Sequence, residues 1–176
     1  MFTTKNNLLG NEKNNCRIIV LYDSKFGNTK KVANALIRGL EAGGNIVDCS
    51  SIDEFEIGKI ESYDVIGIGG PTHNRGMSKN MKAFLSKLKK FNIENKKAFV
   101  FETKLGFPLA GSSGKKILKD LTKIKMEILH PLITGIVSEQ KGPLIENTLK
   151  IMEETGLKIA ERLYDKNIKN EVKIYG

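Results

Sequence analysis

Five times along this chain a short apolar run gives way to a helical pattern, and that alternation limits the fold more than any other feature. Arg17 to Tyr22 is a continuous, β-branched apolar run, the pattern of a strand buried on both faces of a parallel sheet. A polar turn over residues 23–29 follows. Val32, Ala33, Leu36, Ile37 and Leu40 then recur at helical spacing until Gly43-Gly44 stops them. Ile46 to Cys49 reads as a second strand and Val65 to Gly69 as a third, ending in Gly69-Gly70-Pro71. Met81, Phe84, Leu85 and Leu88 mark the next helix, and Ala98 to Phe101 a fourth strand. Ile117, Leu118, Leu121 and Ile124 mark another amphipathic helix. Residues 127–137 supply a fifth strand, bent at Pro131. The last helix is expected from about Leu144 to Leu163, with Leu149, Met152, Ile159 and Leu163 in the core.

Parallel strands need helical crossovers, and those crossovers are right-handed. The alternation therefore predicts a doubly wound α/β sheet in one domain, and 176 residues suffice for a substantial core. The polar segment 1–15 is expected as a mobile tail, 16–166 as the domain and 167–176 as a C-terminal tail. No apolar run approaches the ~20 residues of a membrane-spanning helix, so no membrane insertion is expected. The first residues lack the pattern of a secretory signal, which makes a cytoplasmic location the expectation.

The net charge is +9, and Arg17, Arg38, Arg75 and Arg162 are the only arginines among 29 basic residues. Such a charge attracts an acidic partner, unless it only reflects a lysine- and asparagine-rich composition. No arginine cluster or aromatic-plus-basic stripe is present, so nucleic acid is not expected as a partner. Cys16 and Cys49 form no CxxC pair, which argues against a thiolate zinc site or an iron–sulfur cluster. Both are expected as reduced structural thiols.

In sheets of this kind a ligand lies beyond the carboxyl ends of the strands, which directs attention to the loops after the first, third and fourth strands. In the first, Asp23-Ser24-Lys25-Phe26-Gly27-Asn28-Thr29 runs straight into a helix. Free amides and the helix dipole favour an anion there. Ser24, Asn28 and Thr29 can donate, and Gly27 lets the backbone close in. Neither GxGxxG nor GxxxxGK[ST] is present. A second reading stays open, in which Asn28 or Thr29 merely caps the helix.

After the third strand comes Gly69-Gly70-Pro71-Thr72-His73-Asn74-Arg75-Gly76-Met77. Pro71 fixes the backbone direction out of the sheet. Thr72 and Asn74 bring hydrogen-bonding groups. His73 is either a planar contact for a ligand or a surface histidine capping the loop. After the fourth strand, Glu102-Thr103-Lys104-Leu105-Gly106-Phe107-Pro108 offers Phe107 as a stacking ring or a hydrophobic plug. Gly111-Ser112-Ser113-Gly114-Lys115 has the wrong spacing for a P-loop and is read as a flexible entry to a helix.

On these residues the chain resembles the flavodoxins. Their first loop, T/S-x-T-G-x-T, grips the phosphate of flavin mononucleotide (FMN). Ser24, Gly27 and Thr29 are in register with it, while Phe26 stands where the family has a second hydroxyl. The Pro71-Thr72-His73-Asn74-Arg75-Gly76 run is similar to the flavodoxin domain of A-type flavoproteins, the flavodiiron family. The histidines here, His73 and His130, do not supply that family's diiron site. Gly142-Pro143-Leu144 is similar to the approach to the family's last helix.

The resemblance implies a flavodoxin-like three-layer sandwich, a doubly wound five-stranded parallel sheet of order 2-1-3-4-5. It implies FMN as cofactor, with Ser24, Lys25, Phe26, Gly27, Asn28 and Thr29 around the phosphate. Pro71, Thr72, His73, Asn74, Arg75 and Gly76 would form one ring loop. Thr103, Lys104, Leu105, Gly106 and Phe107 would form the other. The chain has no tryptophan, so His73, Leu105 and Phe107 would have to enclose the ring. The peptides around Asn74 to Gly76 would reorient on reduction.

The implied function is electron transfer to a redox partner, an acidic ferredoxin-like protein or a reductase, with no catalytic side chain and no metal. Arg75 and Lys104 in the flavin loops would favour the reduced, anionic flavin. The alternatives are an FMN-dependent NAD(P)H:quinone-type reductase and a flavin-free binding module on the same fold. A response-regulator receiver shares the topology, but Asp64 starts its strand and only Asp23 follows the first strand.

Overall fold

The β-branched run Arg17–Tyr22 forms strand β1, which is paired on both sides within the sheet, and Ile18, Ile19, Val20 and Leu21 lose essentially all contact with solvent. The computed structural model describes residues 16–174, with side chains to residue 164. The expected tail 1–15 lies outside the described residues. From β1 the chain passes through α1 (Asn28–Ala42), β2 (Ile46–Ser51), β3 (Val65–Pro71), α2 (Lys79–Leu88) and β4 (Lys97–Leu105). It continues through α3 (Ser113–Lys123), β5 (Glu127–Ile128), β6 (Ile133–Val137) and α4 (Thr148–Ile174). The strands pair in parallel in the order β2-β1-β3-β4-β5, which is the expected 2-1-3-4-5 sheet.

The expected fifth strand is present in two pieces on the same edge of β4. β5 pairs with Lys97 and Ala98, and β6 pairs with Phe101 to Leu105. Pro131 lies in the gap, where its missing N–H cannot serve the ladder.

Alternate side chains of each strand point to opposite faces. Ile18, Val20, Phe99 and Phe101 pack with α1 and α4, while Ile19, Leu21, Ala98 and Val100 pack with α2 and α3. Gly69 is paired in register with Phe101, and a Cβ on Gly69 would enter the Phe101 ring. Glycine in β3 is therefore what lets large aromatics of β4 lie flat on the sheet.

Helix α4 departs from expectation at both ends. It starts at Thr148, because Leu144 forms an antiparallel bridge with Val137 and the Ile145 amide donates to the Ile136 carbonyl at 2.9 Å. It runs on to Ile174. Met152, Ile159 and Leu163 are core residues as expected, whereas Leu149, just inside the first turn, is exposed. β4 also runs further than its apolar stretch, because Glu102 to Leu105 are held in the ladder by β6. Residues expected in a loop thus sit on a rigid strand end. No helix among the described residues is long and apolar enough to cross a membrane.

Candidate functional site

The carboxyl ends of β1, β3 and β4 finish side by side. The Asp23 amide donates to the Gly69 carbonyl at 2.9 Å, and the Thr72 amide donates to the Thr103 carbonyl at 2.8 Å. These bonds bring the three expected loops around one cavity of about 290 Å³. Its lining includes every residue expected in the site except Gly27, Gly76 and Gly106, which shape the same loops from their backbone.

In the β1–α1 loop, Gly27 takes a left-handed conformation (φ 82°), turning the chain directly into α1. Gly27, at the cap position itself, has no side chain to cap that helix. The Asn28 amide group instead donates to the Lys141 carbonyl at 2.9 Å, and the Thr29 hydroxyl shares a buried 2.8 Å hydrogen bond with Thr103. The Ser24 hydroxyl accepts from the Lys30 amide at 3.3 Å. Asn28 and Thr29 therefore spend their side chains on bracing neighbouring segments, and neither fills the capping role. What α1 presents to the cavity is its remaining first-turn amides and the positive end of its dipole, both suited to an anion.

The β3 loop is a tight hairpin. His73 and Gly76 exchange backbone hydrogen bonds of 2.9 and 2.8 Å, and both central residues are left-handed, Asn74 at φ 44° and Arg75 at φ 63°. This is the pattern of a type I′ turn. Asparagine tolerates it, while arginine carries a cost of ~1 kcal/mol. The neighbouring loop offsets that cost in part, since Arg75 forms a backbone bridge with Gly111. Among the described residues, His73 Nε2 is buried without a hydrogen-bond partner. A buried ring nitrogen on a cavity wall is a polar group that a ligand can satisfy.

Beneath the β3 and β4 loops lies Glu102, 1% exposed. One carboxylate oxygen accepts from Thr72 Oγ1 at 3.0 Å, Ser112 Oγ at 2.9 Å and the Gly114 amide at 2.9 Å. Ser113 Oγ lies 3.3 Å from the same oxygen, and the other oxygen accepts from Thr134 Oγ1 at 3.3 Å. None of the ion pairs among the described residues includes Glu102. Ser112 also caps α3, accepting from the Lys115 amide at 3.0 Å. The segment expected as a flexible helix entry is thus locked around this carboxylate. On the far side of the β3 loop Ser78, which caps α2, bonds Asp23.

The rim is basic and apolar. Lys25, Arg75 and Lys104 line the cavity, and among the described residues no carboxylate does. The Lys25 ammonium lies 5.4 Å from the centre of the Phe26 ring, a cation–π contact. Phe26, Phe107 and Leu109 leave much of their apolar surface in solvent, Leu109 being 71% exposed. Away from the cleft, Cys49 is exposed, and partial desolvation pushes its thiol up, with Lys30 opposing. That argues against a reactive thiolate there.

Sequence reasoning missed Leu109, Ala110, Val137 and Gln140, which complete the lining. Leu109 and Ala110 follow Pro108 in a short 3-10 turn, and Pro at a first helical position was a usable signal. Val137 and Gln140 lie at and beyond the end of β6, which the rule about strand ends also covers. Among the described residues no cluster of His, Cys, Asp and Glu is arranged to hold a metal.

The family model for the flavodoxin domain matches residues 19–128. An uncharacterised protein of Methanocaldococcus jannaschii is 37% identical over 115 residues, covering 64% of this chain and 71% of that protein. A flavodoxin of Clostridium saccharobutylicum is 30% identical over 112 residues, covering 63% of this chain and 69% of that protein. Among solved structures, an archaeal flavodoxin superimposes with a TM-score of 0.71 at 23% identity, over 83% of this chain and 97% of its own. Rubredoxin:oxygen oxidoreductase of Desulfovibrio gigas superimposes with a TM-score of 0.72 at 21% identity, over 85% of this chain and 36% of its own. Sequence match, strand order and the placement of the cleft agree: this chain belongs to the flavodoxin domain family.

Proposed function

We propose that the cleft binds FMN and that the protein carries electrons. The observation that supports this most is the composition of the cavity wall, which among the described residues holds Lys25, Arg75 and Lys104 but no carboxylate, beside a helix N-terminus whose cap position is a glycine. That donor set suits a ligand bearing a phosphate. The first-turn amides of α1 and the Ser24 hydroxyl would hold the phosphate. Leu105 and Phe107 from one loop and His73 from the other would flank the flavin ring, with His73 Nε2 gaining the partner it lacks. The cavity of about 290 Å³ stands near the lower end of ligand pockets, ~300–1,000 Å³, which suits a ligand with one edge left in solvent. FMN held there would supply the electron chemistry, singly or in pairs.

Phe26, Phe107 and Leu109 would limit water at the exposed edge, and the rim cations would meet an acidic redox partner such as a ferredoxin-like protein or a reductase. Docking of that kind weakens as salt rises, so salt-independent electron transfer would count against it. Arg75 and Lys104 also favour negative charge on a reduced flavin. Considered alone, they give a less negative second reduction potential than an acidic flavodoxin has.

The first test is to add FMN to the purified protein, desalt it and record the visible spectrum. Near-stoichiometric flavin bands would support the reading. A colourless protein that leaves FMN fluorescence unquenched would sink it in favour of a flavin-free binding module. The exposed, apolar mouth of the cleft also admits a small substrate, as in an NAD(P)H:quinone-type reductase. Oxidation of NAD(P)H by the loaded protein would select that reading over the carrier.

A further inference from the structure

The most unusual group in the molecule is not on the cavity wall but one hydrogen bond behind it. Glu102 is a buried acid with no cationic partner among the described ion pairs. Four neighbours offer it donors: the hydroxyls of Thr72, Ser112 and Thr134, and the amide of Gly114 in the first turn of α3. A carboxylate is acceptor-only when ionised, and this shell is built for that form. The shell is itself fixed. Thr72 Oγ1 accepts from the Ser113 amide at 2.9 Å, and Ser113 Oγ donates to the Gly70 carbonyl at 3.0 Å. The carboxylate thus ties the end of β3, the end of β4, the start of α3 and β6 into one unit. Thr72, which it holds, lines the cavity, as does Thr103, its neighbour in the chain.

We propose that Glu102 is a positioning residue whose buried charge opposes negative charge in the cleft, and so weakens binding of reduced relative to oxidised FMN. The inference rests on the reading that the cleft takes FMN. Full reduction of the bound flavin by an external electron donor adds two electrons. With uptake of one proton, the ring gains one negative charge. Every cation on the wall attracts that charge and Glu102 repels it. The signs conflict, so burial decides. Arg75 is exposed and Lys104 half-buried, and exposed charges are screened over a Debye length of ~8 Å at physiological salt. Glu102 is sealed under the loops, where screening is weakest. The hydroxyl and amide dipoles around it stabilise the charge locally. A ring of dipoles does not cancel a net charge at greater distance, so its repulsion reaches the cavity.

The test is to titrate the protein anaerobically with oxidised FMN and with FMN reduced by excess dithionite, following fluorescence quenching and absorbance. The readout is the ratio of the two dissociation constants, reduced over oxidised, which a loss of packing alone does not shift in a set direction. Glu102→Gln is expected to lower this ratio about tenfold, equivalent to about 30 mV for a two-electron couple. Glu102→Asp, which keeps the charge, is expected to stay within about twofold of the parent, and Arg75→Ala and Lys104→Ala to raise the ratio by about threefold or less.

A Glu102→Gln protein that binds both forms with an unchanged ratio overturns the inference and leaves the FMN reading standing. A parent protein that binds neither form overturns both. If Glu102→Gln does not fold, as judged by circular dichroism, Glu102→Ser takes its place. It removes the same charge while keeping a polar side chain and should likewise lower the ratio by about tenfold; an unchanged ratio there also overturns the inference.

Discussion

At the β1–α1 end of the cleft the groups offered to a ligand belong to the backbone, whereas at the β3–β4 end the wall is held by side chains. Gly27 and the first turn of α1 present amides, and the nearby Asn28 and Thr29 side chains are bonded to Lys141 and Thr103. At the other end Thr72, Ser112, Ser113 and Thr134 converge on Glu102. The difference explains why one end tolerates Phe26 in place of a hydroxyl. A phosphate held by amides needs the loop's path rather than its side chains. The other end has no such freedom, because the Thr72, Ser112 and Thr134 hydroxyls are partners of a buried carboxylate.

The contrast can be broken most forcefully at Glu102. Glu102→Leu strands several buried donors at once, and the ligand-free protein should lose about 3 kcal/mol or more. Urea unfolding measures this, and a loss below about 1 kcal/mol would mean the side-chain network is not what holds that wall. Thr29→Val removes the buried bond to Thr103 and leaves one hydroxyl unpaired, for an expected loss of about 1–2 kcal/mol. Because the amides remain in place, FMN affinity should fall far less than stability does, and parallel losses would place Thr29 in the binding shell.

Gly27→Ala forces a Cβ into a left-handed position although nothing lies within 4 Å of it, so its cost should be the backbone strain alone, about 1 kcal/mol. FMN titration should show weaker phosphate binding in that variant. Phe26→Thr restores the hydroxyl common in the family and should tighten FMN by about threefold, the value of one modest hydrogen bond. A change of tenfold or more in fluorescence titration would show that side chains matter at the phosphate end after all.

Much of this arrangement was legible in the chain. The run Arg17–Tyr22, the periodic faces of α1 and α2 and the strand order inferred from the flavin loops all reappear in the structure. So does the grouping of residues from three loops around one cavity. Leu149 was misplaced because a period of 3.6 locates a face only once the start of the helix is known, and Leu144 belongs to a bridge rather than to α4. The extent of β4 was hidden because Glu102, Thr103 and Lys104 look polar and loop-like, while β6 supplies the ladder that keeps them extended. Glu102 itself read as the first residue of a loop.

What the amino-acid sequence determined by itself is whatever depends on local pattern. That comprises which runs are strands, which faces of the helices are apolar, where the chain turns, and that the loops after three strands carry glycine, hydroxyl, basic and aromatic residues. Those features follow from side-chain periodicity and backbone preference, which act over a few residues. The tertiary structure alone decided which of those polar groups remain available. Thr29 pairs with Thr103, Asn28 reaches Lys141, and an acid at the end of β4 gathers donors from β3, α3 and β6. A hydrogen bond is satisfied by whatever partner folding brings within about 3 Å, and partners tens of residues apart leave no local mark in the chain.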